Sequence, residues 1–202
     1  MTDNLVALTV IEPTKVIEPI KRRRRNPNNP LNEAEIRRLL AGIDDLRSDA
    51  LIRLGLSTGL RVSEVITINL GDIDWSAGIV KIWDEKKDRW RHIMPTMDVI
   101  GVLRRYAKAN KPSRSLFPIT TKTVERIIQR YSLKAFGYAI SWHALRHTYV
   151  SRMRAQGQPI EVVMANTGDS AETLLRVYSE LSGDVLRKFV EAAPAIPIIP
   201  LE

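Results

Sequence analysis

The stretch GIVKIWDEKKDRWRHIMP, residues 78–95, constrains the fold most, because there the periodicity of the chain changes. Apolar and polar residues alternate on both sides of a charged centre, Asp84 to Asp88, as expected of a β-hairpin with a solvated turn. Before it the spacing is helical. LNEAEIRRLLAGI offers Asn32 as a cap and Glu35 at the capping-box position, followed by Ile36, Leu39, Leu40 and Ile43 on one face. DDLRSDALIRLGLSTG fits a second helix ended by Gly59, and RVSEVITI a short third. After the hairpin, helical patterns fall at about 97–110, 122–135, 143–156, 159–166, 171–178 and 183–192. The expectation is a mainly α domain with one small antiparallel β-sheet (α+β), with no internal repeat and no break that would justify two domains.

That domain is expected over residues 31–193. Residues 1–30 read as a flexible basic arm: LVALTVIEP could form one short strand, but KRRRRNPNNP has no apolar face to bury. Residues 194–202 belong to a proline-rich tail that cannot be helical.

Charge narrows the class of partner. Lys and Arg number 31 against 23 Asp and Glu, a formal net charge of +8, which favours a polyanion, nucleic acid first. The plainer alternative is a basic surface kept for solubility. The absence of cysteine removes disulfides, thiolate metal sites and cysteine nucleophiles, and fits a cytoplasmic protein. No apolar run approaches the roughly 20 residues of a membrane span. The first twenty residues carry Asp3, Glu12 and Glu18 and are broken by Pro13 and Pro19, unlike a secretory signal.

HALRHTYVSRM, from His143 to Met153, sets two imidazoles and a guanidinium on one helical stretch. Three readings compete: a metal site, a phosphate clamp, or a polar helix surface. His143 and His147 share a face, but the glutamate of an H-E-x-x-H zinc motif is missing and Arg146 sits between them, so no metal is expected. A phosphate clamp suits the residues better. Arginine offers a planar fork of donors, histidine moves a proton near neutral pH, and His143 and Arg146 lie three apart on one side.

A phosphodiester site needs further cations, a nucleophile and an acid for the leaving group. Arg61 follows the Gly59 turn at a helix start in STGLRVSEV; the alternative is a surface arginine paired to Glu64 or Glu85. The hairpin turn supplies Lys86 and Lys87, otherwise a solvated charged turn. ETLLRVYSEL supplies Tyr178, otherwise a core aromatic.

Together and in this order, these stretches resemble the tyrosine recombinase (phage-type integrase) family, in its catalytic domain. TGLRVSEV resembles that family's first arginine box, HALRHTYVS its H-x-x-R box, SAETLLRVY its tyrosine box, and the hairpin between them its lysine-bearing hairpin. The resemblance covers about residues 31–190 and implies the fold expected above. It implies that Tyr178 attacks a DNA phosphodiester, forming a 3′-phosphotyrosine and releasing a 5′-hydroxyl. Arg61 and Arg146 would hold the non-bridging oxygens, with His143 beside them, and Glu64 would orient its neighbours. A hairpin lysine would protonate the leaving oxygen. Eight residues before Pro95 is Lys87, with Lys86 the neighbouring alternative because His92 stands where the family has arginine and Arg91 is one place off. The position nine before the tyrosine, usually His or Trp, is Asp169, which can only accept hydrogen bonds when ionised. It is expected to face arginine or histidine and not the phosphate. His147 is expected to be structural, and Tyr106, Tyr131, Tyr138 and Tyr149 core or DNA-facing.

The implied partner is double-stranded DNA with attachment-type sites, bound by a homotetramer, without cofactor, metal or membrane. Integration or excision of a phage or mobile element in a bacterial or archaeal cell is the implied role. Topoisomerase-like relaxation and a catalytically silent DNA-binding regulator are the alternatives. Family members usually carry an N-terminal clamp domain, larger than the roughly thirty residues here. The run Lys21, Arg22, Arg23, Arg24 and Arg25 is expected to grip DNA in its stead.

Overall fold

In the computed structural model, residues 26–178 are described, with side chains through Leu174. Eight helices are present among them: α1 (Glu33–Ala41), α2 (Leu46–Thr58), α3 (Val62–Thr67), α4 (Met97–Asn110), α5 (Thr121–Phe136), α6 (Trp142–Ala155), α7 (Ile160–Thr167) and α8 (Ala171–Tyr178). The sheet has three antiparallel strands in the order β1 (Ile73–Asp74), β2 (Ile79–Asp84), β3 (Arg89–Ile93). The mainly α architecture with one small sheet is therefore as the periodicity indicates. The short β1 and the 3₁₀ turn before it, Leu70–Asp72, carry too few residues to show a period. The basic run 21–25, the pattern at 183–192 and the tail 194–202 lie outside the described residues.

Local chemistry sets the helix ends. Asn32 and Glu35 form the capping box on α1: each side chain accepts the other's backbone N–H at 2.9 Å. Asp45 caps α2, which ends at Gly59 in the left-handed region at φ 63°. A Cβ at Gly59 would lie 2.6 Å from the Tyr149 ring, so both conformation and space call for glycine. The segment before α1, assigned to the arm from sequence, is fastened from Pro27 onward. Ser141 donates its N–H to the Pro27 carbonyl and its hydroxyl to Asn28, and Leu31 N–H donates to Thr148 Oγ1.

α2 is the central element, lying against α4 on one side and α6 on the other. Leu51, Ile52 and Leu54 are fully buried there, together with Leu39, Leu103, Ile128, Tyr131 and Leu145. Trp142 fills the space over Gly55 and donates its indole N–H to the Leu60 carbonyl at 2.8 Å. A second, smaller core of Tyr149, Val150, Val163 and Leu174 joins α6, α7 and α8. The polar residues of the expected site lie along the seam between these two cores. Tyr106, Tyr131 and Tyr149 are core residues, and Tyr138 donates to Glu35.

Candidate active site

Three elements bring cations to the seam. The α2–α3 turn presents Arg61 at the start of α3, where Glu64 reaches back to accept its N–H at 2.8 Å. α6 presents His143 and Arg146 one turn apart. The hairpin presents Arg91 on its inward face, in register with Ile82.

Arg146 is 5% exposed, and its burial is made tolerable by backbone. Nη1 donates to the Gly59 carbonyl at the end of α2, and Nη2 donates to the Thr167 carbonyl at the end of α7, 3.0 Å away. Arg91 uses the same helix end: Nη1 donates to the Ala165 and Asn166 carbonyls at 3.3 and 2.6 Å. Helix C-termini expose carbonyls without intrahelical partners and carry partial negative charge, so a buried guanidinium there gains hydrogen bonds and favourable field together.

Carboxylates complete the cluster. Glu64 Oε1 accepts from Arg61 Nη1 at 3.2 Å and from Arg91 Nη2 at 2.8 Å. Asp169 bridges the other pair: Oδ1 accepts from Arg61 Nη2 at 2.9 Å, and Oδ2 pairs with Arg146 Nη2. Asp84 is fully buried opposite Arg91 Nε at 3.8 Å, and neither of its oxygens has a hydrogen-bond partner. Gly168, at φ 72°, leaves room for this contact; a Cβ there would lie 2.9 Å from Arg91 Nε. Three arginines (61, 91 and 146) thus face three carboxylates (Glu64, Asp84 and Asp169), and the cluster is formally neutral.

Arg61, His143, Arg146, His147, Asp169 and Thr173 line a cleft of about 190 Å³, with Val150 and Leu174 at its base. The imidazoles of His143 and His147 meet edge to face at 4.5 Å. Burial, then the positive charge of Arg146, pushes the His143 pKa below its ordinary value, while Asp169 partly offsets this. His147 is lowered by burial and by its neighbours His143 and Arg146. Both rings are therefore neutral around pH 7, and His147, expected to be structural, faces the cleft beside His143. Among the described residues no group of three or more His, Asp or Glu is arranged to hold a metal ion.

On the other side of Arg61 is a larger cleft of about 500 Å³, between α3 and the hairpin. Lys86 lines it; Lys87 is not among its lining residues and is exposed on the turn. Tyr178 closes α8, one turn beyond Leu174, and its side chain lies outside the described residues. The buried tyrosines are poor nucleophiles. Tyr131 is pushed up to about 12 by burial and by donating to Asp44 and Asp45, and burial raises Tyr106 and Tyr149.

A profile of the phage integrase family matches residues 29–183. This chain belongs to the phage integrase family. Among its relatives is the tyrosine recombinase XerA of Saccharolobus solfataricus, 28% identical over 169 residues, covering 84% of this chain and 58% of the relative. Tyrosine recombinase XerD of Pseudomonas aeruginosa is 29% identical over 171 residues, covering 75% of this chain and 57% of the relative. The chain thus spans somewhat under two thirds of these relatives' length. Its fold is similar to the crystal structure of XerA recombinase, at TM-score 0.71 and 24% identity, covering 83% of this chain and 66% of the other. It is also similar to XerH site-specific recombinase bound to its difH substrate, at TM-score 0.67 and 18% identity, covering 83% and 55%. The fold is that of tyrosine recombinase catalytic domains.

Sequence reasoning singled out Arg61, Glu64, His143, Arg146 and Asp169, and the structure brings all five together. It gave no role to Arg91, noted only as one place off the family's arginine, and placed Asp84 in the solvated turn, whereas Asp84 ends β2 and is buried. Their signal was present: each sits on the inward face of its strand, among Val80, Ile82 and Ile93. A charged residue on an apolar strand face requires a buried partner.

Proposed function

We propose that this protein is a site-specific DNA recombinase that cleaves and rejoins DNA through a 3′-phosphotyrosine. The observation that carries this reading is Asp169. One carboxylate bridges Arg61 and Arg146, so the two arginines already converge on a single two-oxygen anion. The non-bridging oxygens of a phosphodiester offer the same kind of bidentate partner.

In the step proposed, the Tyr178 oxygen attacks phosphorus and the bond from phosphorus to the 5′-oxygen breaks. The tyrosine proton, held at a pKa of about 10 in the free residue, leaves to neutral His143 or to water. Arg61 and Arg146 stabilise the added charge on the phosphorane. Lys86 gives its proton to the leaving 5′-oxygen; it is favoured over Lys87 because it lines the cleft that Arg61 shares. The ester stores the bond energy, and the 5′-hydroxyl of a second DNA end reverses the step, so the chemistry itself calls for no cofactor. Two attachment-type duplexes held by a homotetramer, with integration or excision of a mobile element as the outcome, form the finer reading. Residues 21–25 supply sequence-independent grip on DNA in this scheme.

The test is covalent capture on nicked duplexes that trap the cleaved end. The full chain forms a protein–DNA band and Tyr178→Phe forms none while still binding DNA. A band persisting in that variant overturns the assignment. Capture without strand exchange between two duplexes indicates relaxation in place of recombination.

A further inference from the structure

The cleft between α3 and the hairpin is larger than a phosphate needs, and its walls are of a different kind. Trp83 and Trp90 face each other across β2 and β3 and meet edge to face, with ring centroids 5.3 Å apart. They are 38% and 56% exposed, whereas Trp142 is 2% exposed. Cross-strand aromatic pairing stabilises a hairpin, but it does not require that both rings also border a cavity. Here both do, together with Arg61, Lys86, Ser63, Thr67 and Asn69, and with the carboxylates of Glu64, Asp84 and Glu85. The opening follows from the sheet: β1 pairs only with Ile79 and Val80, so β2 from Lys81 onward has no strand on its other edge.

Arg61 lines both clefts. A phosphate held by Arg61 therefore has covalently attached neighbours that must run out of the small cleft, and the Lys86 side leads into the large one. Aromatic faces accept any base by stacking; the Ser63 hydroxyl can meet a base edge, as can the acceptor lone pairs of Thr67 and Asn69, whose hydroxyl and amide nitrogen already donate to the Glu64 carbonyl and to Asp72. Among the exposed charges of the hairpin, Lys81, Lys86, Lys87 and Arg89 outnumber Glu85 and Asp88, which complements the negative charge of the attached backbone.

We propose that this cleft takes an unstacked base of the substrate DNA, on the leaving 5′ side of the scissile phosphate, stacked against Trp90 and Trp83. The proposal rests on the recombinase reading for the polarity of the strand. It gives the released 5′ end a resting place between cleavage and rejoining.

The test uses the full chain carrying Tyr178→Phe and two single-stranded probes of equal length and charge: an oligothymidylate, and an abasic phosphodiester chain. The thymidylate is expected to bind about tenfold more tightly. Trp83→Leu combined with Trp90→Leu keeps the hairpin apolar and is expected to erase that ratio, with an unchanged salt slope for the abasic chain. A parent protein that binds both probes equally overturns the proposal. So does a double variant that keeps the ratio. If the variant alters only self-association in sedimentation, the tryptophans form a contact between copies, and the base-binding role is wrong. Covalent capture by the unmodified protein is scored separately, so loss of this inference and loss of the recombinase reading are distinguishable.

Discussion

Arg146 and the hairpin lysines carry the same formal charge in opposite settings. Arg146 is buried, and its guanidinium is held by two helix ends and a carboxylate. Lys86 and Lys87 are exposed on a four-residue turn in which Asp88 has φ 49°. The difference separates two tasks. Holding a phosphate requires donors fixed before the substrate arrives, because reorganisation during the reaction would raise the barrier. Delivering a proton to an oxygen that moves away requires reach, which a flexible lysine on a turn supplies.

The contrast breaks most readily at Arg146. Arg146→Ala is expected to slow covalent capture by at least roughly 10³-fold, and Arg146→Lys to recover little, since an ammonium cannot bridge both carbonyls and the phosphate. Near-parental rates for the lysine variant would show that a point charge suffices and that fixed geometry is unimportant. Next comes Lys86→Ala, expected to be about 10²-fold slower on ordinary DNA and largely restored by a 5′-bridging phosphorothiolate, whose thiolate leaves without a proton. If Lys87→Ala shows this pattern instead, the count back from Pro95 is the better guide to the acid.

Gly168→Ala tests the rigid side through stability. Its positive φ and the crowding against Arg91 and Asp84 predict a loss of about 1–3 kcal/mol in chemical denaturation. A neutral result would mean that the end of α7 yields easily. Smaller effects are expected of Asp169→Asn. Removing that carboxylate leaves the arginine cluster with net positive charge, so short duplexes should bind a few-fold more tightly at low salt. Asp169 also raises the His143 pKa, so its loss should move the imidazole titration to lower pH, read by NMR. The least effect concerns acid stability. His143 and His147 both have folded pKa values below the ordinary 6.5, so the unfolded chain takes up protons first. Stability should fall as pH drops below about 6.5 and level off below the folded pKa values; His147→Gln should flatten that slope.

Much of this was legible in the sequence for physical reasons that differ by region. Helices α1, α4 and α5 bury one face each, so their spacing shows them, whereas the central α2 is buried nearly all round and shows as an apolar run; Asn32, Glu35 and Gly59 mark ends by chemistry that has few substitutes. Arg61, His143 and Arg146 stood out because charge in half-apolar stretches needs a reason. Arg91 did not, because in RWRHI it passes for one more cation on a polar hairpin; only the strand register shows that it points inward. The exposure of Trp83 and Trp90 likewise depends on which face of the hairpin is outward, which only the register shows. The choice between Lys86 and Lys87 depends on how a four-residue turn twists, which composition does not encode.

The three carbonyls at the end of α7 and the one at the end of α2 have a consequence for heredity. They belong to the main chain, so no single substitution can delete them, and no comparison of side chains can reveal that they hold two arginines. Point mutation can wear away a salt bridge between two side chains from either partner. Here it can remove only the arginine. The acceptor half is displaced by changes that shift where a helix stops, whether insertions, deletions or a side chain placed at Gly59 or Gly168, so these two turns are as much a part of the inherited site as the arginines themselves.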